Sequence, residues 1–187
     1  MFDLDAADDG ELPSKWHLQP VRPQDFEAML AIRVDAMRPS LERLGRFDPT
    51  RARERFAAGF APEHMRHIEL DGVRVGFITL RADDVASPPA QQSIFKLDHL
   101  YLKPGAQGAG VGTWAVKWAK GQAVAAQRDI TLSALKQSDA NRFYARHGFV
   151  LVGQSEFDLD YRWSHASAVG STEGGGVMHE VAPQVTA

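Results

Sequence analysis

The chain has 187 residues, of which 44% are apolar and 24% charged, with a formal net charge of -3. This length suits one domain with a sizeable core, and the acidic balance excludes the strongly basic footprint of a nucleic-acid binder. There is no cysteine, which excludes a disulfide framework and a thiolate metal site.

The start is acidic and lacks the basic and apolar regions of a signal peptide. Apolar runs fall far short of the roughly 20 residues that span a bilayer. A cytoplasmic protein without membrane or nucleic-acid partners is the expectation. Residues 1–15, rich in Asp, read as a disordered arm. Residues 165–187, with Gly174, Gly175 and Gly176, read as a disordered tail that cannot repay its ordering entropy. The folded domain is then 16–164.

A short strand is expected over 16–21, then a helix whose first turn suits Pro23. Phe26, Met29, Leu30, Ile32, Val34 and Met37 recur at near-helical spacing until Pro39 interrupts them. A second helix over 49–60 is basic through Arg51, Arg53 and Arg55. With Glu54 these read as a solvated face, or as a surface that recognises an acidic acceptor. Asp71-Gly72 marks a hairpin over 67–80, and Gly76 inside its second strand suggests a bulge or a close backbone approach. A loop over 83–93 leads to a strand over 94–102, a loop over 104–108 and a helix over 113–126. A strand over 130–135, a short helix over 139–146 and a strand over 149–157 are expected to follow, with 161–163 closing the sheet. The order is β-α-α-β-β-β-α-β-α-β-β. It predicts an α/β (mixed α+β) fold, a mixed sheet with helices on its faces. Trp114 and Trp118, four apart on a helix, read as core or interface. His64 and His67 lack a nearby third ligand, so no metal site is expected.

The segment from Leu100, Tyr101 and Leu102 through Pro104, Gln107, Gly108, Ala109, Gly110, Val111 and Gly112 to Thr113 is strand, glycine loop and helix start. Free backbone N–H groups and the helix dipole make such a start an anion site. Gly105 and Gly110 have P-loop spacing, but Val111 and Gly112 stand where Lys and Ser or Thr are needed. The frame Gly110-Val111-Gly112-Thr113-Trp114-Ala115 fits a dinucleotide fingerprint. Its acid, Asp129, precedes the second strand instead of following it. A glycine-rich turn with no ligand is the bland alternative.

Gln107, Gly110 and Gly112 also fit the loop Gln/Arg-x-x-Gly-x-Gly/Ala. A second block, Ala140-Asn141-Arg142-Phe143-Tyr144-Ala145-Arg146-His147-Gly148-Phe149, fits A-x-x-F-Y-x-x-x-G-F. In both motifs the sequence resembles the GNAT superfamily of N-acetyltransferases. The resemblance implies a mostly antiparallel twisted sheet of six to seven strands, about four helices, and acetyl-coenzyme A as cosubstrate with no metal. It implies pyrophosphate binding by residues 107–112, and cofactor contacts from Leu100, Tyr101, Leu102, Thr113, Asn141, Phe143 and Tyr144. Many relatives carry an Asn shortly before the alanine, where Gln137, Ser138 and Asp139 stand here. Ser138 or Asn141 is its replacement.

The resemblance makes Tyr144 the general acid, since a phenol is neutral at pH 7 and can donate. The alternative is an amphipathic aromatic that only needs a partner. A backbone N–H near Leu100 or Leu102 is implied to polarise the thioester carbonyl, on a strand that splays from its neighbour. For the base, Asp98 comes first, against a surface residue paired with Lys96 or Arg74, and His99 or a water relay is held in reserve. Successive strand residues face opposite ways, so only one of Asp98 and His99 can face the substrate unless a bulge intervenes. The acceptor is a small-molecule or peptide amine, and a homodimer is an assembly the resemblance allows. The rival functions are a non-catalytic acyl-coenzyme A sensor and a nicotinamide-dependent oxidoreductase.

Overall fold

The computed structural model describes residues 15–83 and 94–166. The expected arm over 1–15, the tail over 165–187 and the loop over 83–93 lie outside the described residues, apart from Lys15, Asp83, His165 and Ala166. The elements are β1 (Trp16–Pro20), α1 (Phe26–Arg43), α2 (Pro49–Ala58), β2 (Met65–Leu70), β3 (Val73–Asp83) and β4 (Ile94–Leu102). They continue with α3 (Val111–Ala125), β5 (Ile130–Leu135), α4 (Ala140–Arg146), β6 (Val150–Gln154) and β7 (Asp158–Trp163). The strands form one seven-stranded sheet in the order β1-β2-β3-β4-β5-β7-β6. Every neighbouring pair is antiparallel except β4 and β5.

Each helix pair covers one face. Val111, Ala115, Ala119 and Ala123 form a buried stripe on α3 at four-residue spacing. Small side chains there let the helix lie close to Val75, Ile78, Leu80, Phe95 and Leu97 of the sheet. On the other face Met29, Leu30 and Ile32 of α1 and Phe56 of α2 pack on Met65 and Phe77. The β2–β3 hairpin turns at Asp71 and Gly72, with φ of 49° and 78°, which is the primed turn that Asp-Gly favours. Gly76 combines both expectations. The register shifts beside it, between Ile68 and Glu69, and an added Cβ would collide with the Tyr101 carbonyl oxygen.

Two expectations need correction. Pro39 does not end α1, which runs on to Arg43. Met37 accepts a hydrogen bond from Tyr101 Oη at 3.2 Å, so tertiary contact holds the helix through the proline against its local cost. The strand expected over 149–157 also stops early, at Gln154, and the closing strand expected over 161–163 already starts at Asp158. Ser155 Oγ accepts from Asp158 N at 3.0 Å, and Ser155 N donates to the Asp158 carbonyl at 2.9 Å. This hydroxyl-closed turn sends β7 back between β5 and β6. The edge strand β6 leaves Val150, Leu151 and Val152 exposed.

His67 is buried, with Nε2 3.1 Å from the Asp25 carboxylate. Burial raises the Asp25 carboxyl, but bonds from Arg22 N, Arg74 and His67 outweigh it and hold the group far below the usual carboxylate range. His64 is exposed, so the His64–His67 spacing joins a surface residue to a buried one packed against Asp25. Among the described residues, no group of His, Asp and Glu could hold a metal ion. None of the described helices is long and apolar enough to cross a membrane.

Candidate active site

The functional cleft follows from how β4 leaves β5. The two strands are in register only at Phe95–Ile130 and Lys96–Thr131. On its other side β4 stays paired with β3 as far as Leu102–Gly76. Lys103 N donates to Val75 O at 2.8 Å. Antiparallel ladders alternate every second residue, so Tyr101 aims its backbone groups at β3. Leu100 and Leu102 therefore aim theirs away from β3, where β5 has departed.

A cleft of about 690 Å³ opens there, within the usual range for small-molecule sites. Leu100, Tyr101 and Leu102 line it together with Gln107, Gly108, Gly110, Gly112 and Thr113. Phe143 and Tyr144 face it from α4, and Pro39, Ser40 and Arg43 from α1. Two motifs about thirty residues apart in sequence thus meet across one cavity.

The loop geometry suits an anion. Gly108 and Gly110 have φ of 78° and 90°, a region that favours glycine. Gly110 is the N-cap residue of α3, and the N–H groups of the next residues have no helical acceptor. Val111 is buried and anchors the first turn. At Gly112 an added Cβ would lie 3.2 Å from Phe143 Cζ. Glycine therefore serves here for close approach of α4. Gln107 Nε2 donates to Leu102 O at 3.2 Å, which ties the loop back to the strand.

The second motif is built as tightly. His147 Nδ1 lies 2.8 Å from Phe143 O, so that nitrogen carries the proton. Its Nε2 then accepts from Thr113 Oγ1 at 3.1 Å and joins α4 to the start of α3. Asn141 Nδ2 donates to Leu135 O and Ser138 O, each at 3.0 Å, and its Oδ1 accepts from Tyr161 Oη at 3.2 Å. Its amide is thus used to fasten α4 to β5 and β7, and Ser138 lines the cleft in its stead. Ala109 and Val111 are in the loop but not among the cleft-lining residues, and neither is Asn141.

Tyr144 is 8% exposed and packs on Phe143 and Phe149. Burial raises its phenol well above the usual value, so it stays protonated across the neutral range. Tyr101 points its ring to the α1 and α2 face, among Phe77 and His99.

The structure separates the expected bases from the cleft. The register shift between Thr79 and Leu80 marks a bulge in β4. Phe95 and Leu97 pack under α3 before it, and Leu100 and Leu102 pack on that same cluster after it. The even positions have taken over from the odd ones, so Asp98 and His99 fall on one face after all. Neither lines the cleft. Asp98 pairs with Arg81, and with Lys96 at 3.0 Å. Burial raises its carboxyl, but these cations outweigh it and hold it below the usual value. The expected Arg74 partner is instead bound to Asp25 and Glu69. His99 Nδ1 lies 3.0 Å from Thr79 Oγ1, and burial foremost lowers its imidazole to about 4. Asp129, the acid of the dinucleotide frame, is taken by Arg162 and His165.

Sequence reasoning passed over Arg43 and Arg146, which bring cations to the cleft wall. Arg146 had a signal, since it stands one residue past the FY pair's following alanine, inside the second motif. Arg43 had none.

Residues 62–151 match the family model for the acetyltransferase (GNAT) domain. No curated protein matches the chain in sequence. Solved structures share the fold. PH1933 of Pyrococcus horikoshii OT3 superposes with a TM-score of 0.63 at 17% identity, over 80% of this chain and 98% of that one. The PaiA N-acetyltransferase of Thermoplasma acidophilum, solved with coenzyme A, gives 0.58 at 15%, over 80% and 98%. Naa50 of Arabidopsis thaliana, solved with the bisubstrate analogue CoA-Ac-MVNAL, gives 0.58 at 15%, over 81% and 99%. The glycine loop at a helix start and the seven-stranded sheet open at β4 and β5 are set in the mixed α/β architecture that these structures share. Residues 62–151 are thus similar to a GNAT acetyltransferase domain, and the fold agrees with that likeness.

Proposed function

We propose that the protein is an N-acetyltransferase that moves the acetyl group of acetyl-coenzyme A to an amine by direct attack. The observation that carries this reading is the single cleft shared by the loop Gln107, Gly108, Gly110 and Gly112 and by Tyr144. Acetyl-coenzyme A supplies the thioester, whose acetyl group goes to the amine and whose sulfur leaves as the free thiol. The left-handed glycines and the start of α3 would hold the pyrophosphate. The cleft-facing backbone of Leu100 and Leu102 would hold the acetyl end, with an N–H as the carbonyl's donor. Tyr144 keeps its proton through burial and gives it to the departing sulfur.

No base role is given to Asp98, because Arg81 and Lys96 hold it away from the cleft. The intact Tyr144 favours a catalyst over a sensor. For assembly, a homodimer through the exposed Val150, Leu151 and Val152 of β6 is our proposal, and sedimentation velocity at graded concentrations reads it. Thermal shift tests the cofactor reading. Acetyl-coenzyme A should raise the melting midpoint and NAD should leave it unchanged, since only a ligand of the native state stabilises it. Stabilisation by NAD alone would overturn the proposal.

A further inference from the structure

A second, smaller cavity of about 140 Å³ lies between α1 and α2 and the ends of β5 and β7. It adjoins the cofactor cleft through one contact. Tyr101 lines the cleft, and its hydroxyl donates to Met37, which lines the smaller cavity. Four arginines line that cavity: Arg33, Arg46, Arg51 and Arg55. The acids beside them are Asp48 and Asp158. Asp48 is engaged as the cap of α2, accepting from Arg51 N at 3.1 Å.

Among the described residues none of these four guanidiniums forms an ion pair with a carboxylate. Arg33 Nη1 donates to Ala52 O at 3.3 Å, while Arg33 Nε is buried with no hydrogen-bond partner. A buried donor left without an acceptor is costly, and a ligand oxygen would remove that cost. Arg46 lies 3.7 Å over the ring of Phe157, which fixes its plane. The remaining wall is apolar, from Met37, Leu41 and Leu135.

We propose that this cavity binds the anionic end of the acceptor, so that the substrate is an amine with a carboxylate or phosphate group at its other end. The inference rests on the N-acetyltransferase reading above. Guanidinium forks match planar oxyanions in pairs, and the apolar wall suits a methylene spacer leading to the amine. The basic stripe of α2 thus divides its labour. Arg53 pairs with Glu27 outside the cavity, while Arg51 and Arg55 turn to it.

The test is calorimetry on the full chain saturated with coenzyme A. The probes are β-alanine, γ-aminobutyrate and ε-aminocaproate, each against its amide, together with aminopropylphosphonate. At least one anionic amine should bind about tenfold or more tighter than its neutral counterpart, as hydrogen bonds to charged groups imply. A carboxylate preference or a phosphonate preference identifies which anion is used. R51Q/R55Q, at exposed positions, should lose that preference while acetyl-coenzyme A affinity and melting midpoint hold. The inference fails if the amides bind equally, if none of the anionic amines binds at millimolar concentration, or if R51Q/R55Q keeps the preference. Failure of the wild-type protein to bind acetyl-coenzyme A would instead sink the parent reading.

Discussion

Tyr144→Phe should lower the turnover of acetyl transfer about a hundredfold, within the usual span for loss of a general acid, with acetyl-coenzyme A affinity unchanged. The substitution removes one oxygen and nothing else that matters to packing. Phenylalanine keeps the ring between Phe143 and Phe149 and so keeps α4 against the cleft. The lost group is a phenol that burial keeps protonated well above neutral pH. Such a group can donate throughout the range in which the acceptor becomes a neutral amine. The wild-type rate should therefore rise with pH as the amine deprotonates, with no fall from Tyr144 near neutrality. Steady-state kinetics beside calorimetry separate the two effects. Equal turnover in both proteins would remove Tyr144 from the chemistry and restore the view of it as packing.

Gly108→Asp should weaken acetyl-coenzyme A binding on the order of a hundredfold, while Gly108→Asn weakens it far less. Gly108 has a φ of 78° and nothing within 4 Å of an added Cβ. Asn and Asp are the side chains that best tolerate this backbone region, so both variants should fold. They differ in one charge. A carboxylate within about 5 Å of the pyrophosphate costs roughly 3 kcal/mol at an effective dielectric near 20. Added salt should narrow the gap between the variants. Equal affinities for Asp and Asn would mean that the loop does not hold the phosphates.

The segment from β4 to α4 was legible because its chemistry is local. Strand, glycines and helix start follow one another, and Phe143-Tyr144 sits on one short helix. The bounds of β4 and β5 agree with expectation for the same reason. What the sequence hid depends on distant partners. Alternation along β4 put Asp98 and His99 on opposite faces, and a bulge facing Thr79 and Leu80 reversed that. Pro39 looked like a break because its partner, the Met37–Tyr101 contact, comes from a strand far along the chain. The turn at Ser155 has neither glycine nor proline to announce it. Asn141 looked like a cofactor ligand, yet its amide is satisfied by Leu135, Ser138 and Tyr161. The arginine cavity is the fullest case. Arg33 and Arg46 were unremarked in the sequence, and only the packing of α1 on α2 brings them to Arg51 and Arg55.

The central claim joins a cofactor to an amine, and one measurement reads both. The protein is incubated with acetyl-coenzyme A and a panel of amines, and free thiol and acetylated amine are counted together by mass spectrometry. The account predicts one acetylated amine for each thiol released, with both lost in parallel in Gly108→Asp. Thiol released without any acetylated amine, or no thiol with any member of the panel, would contradict it.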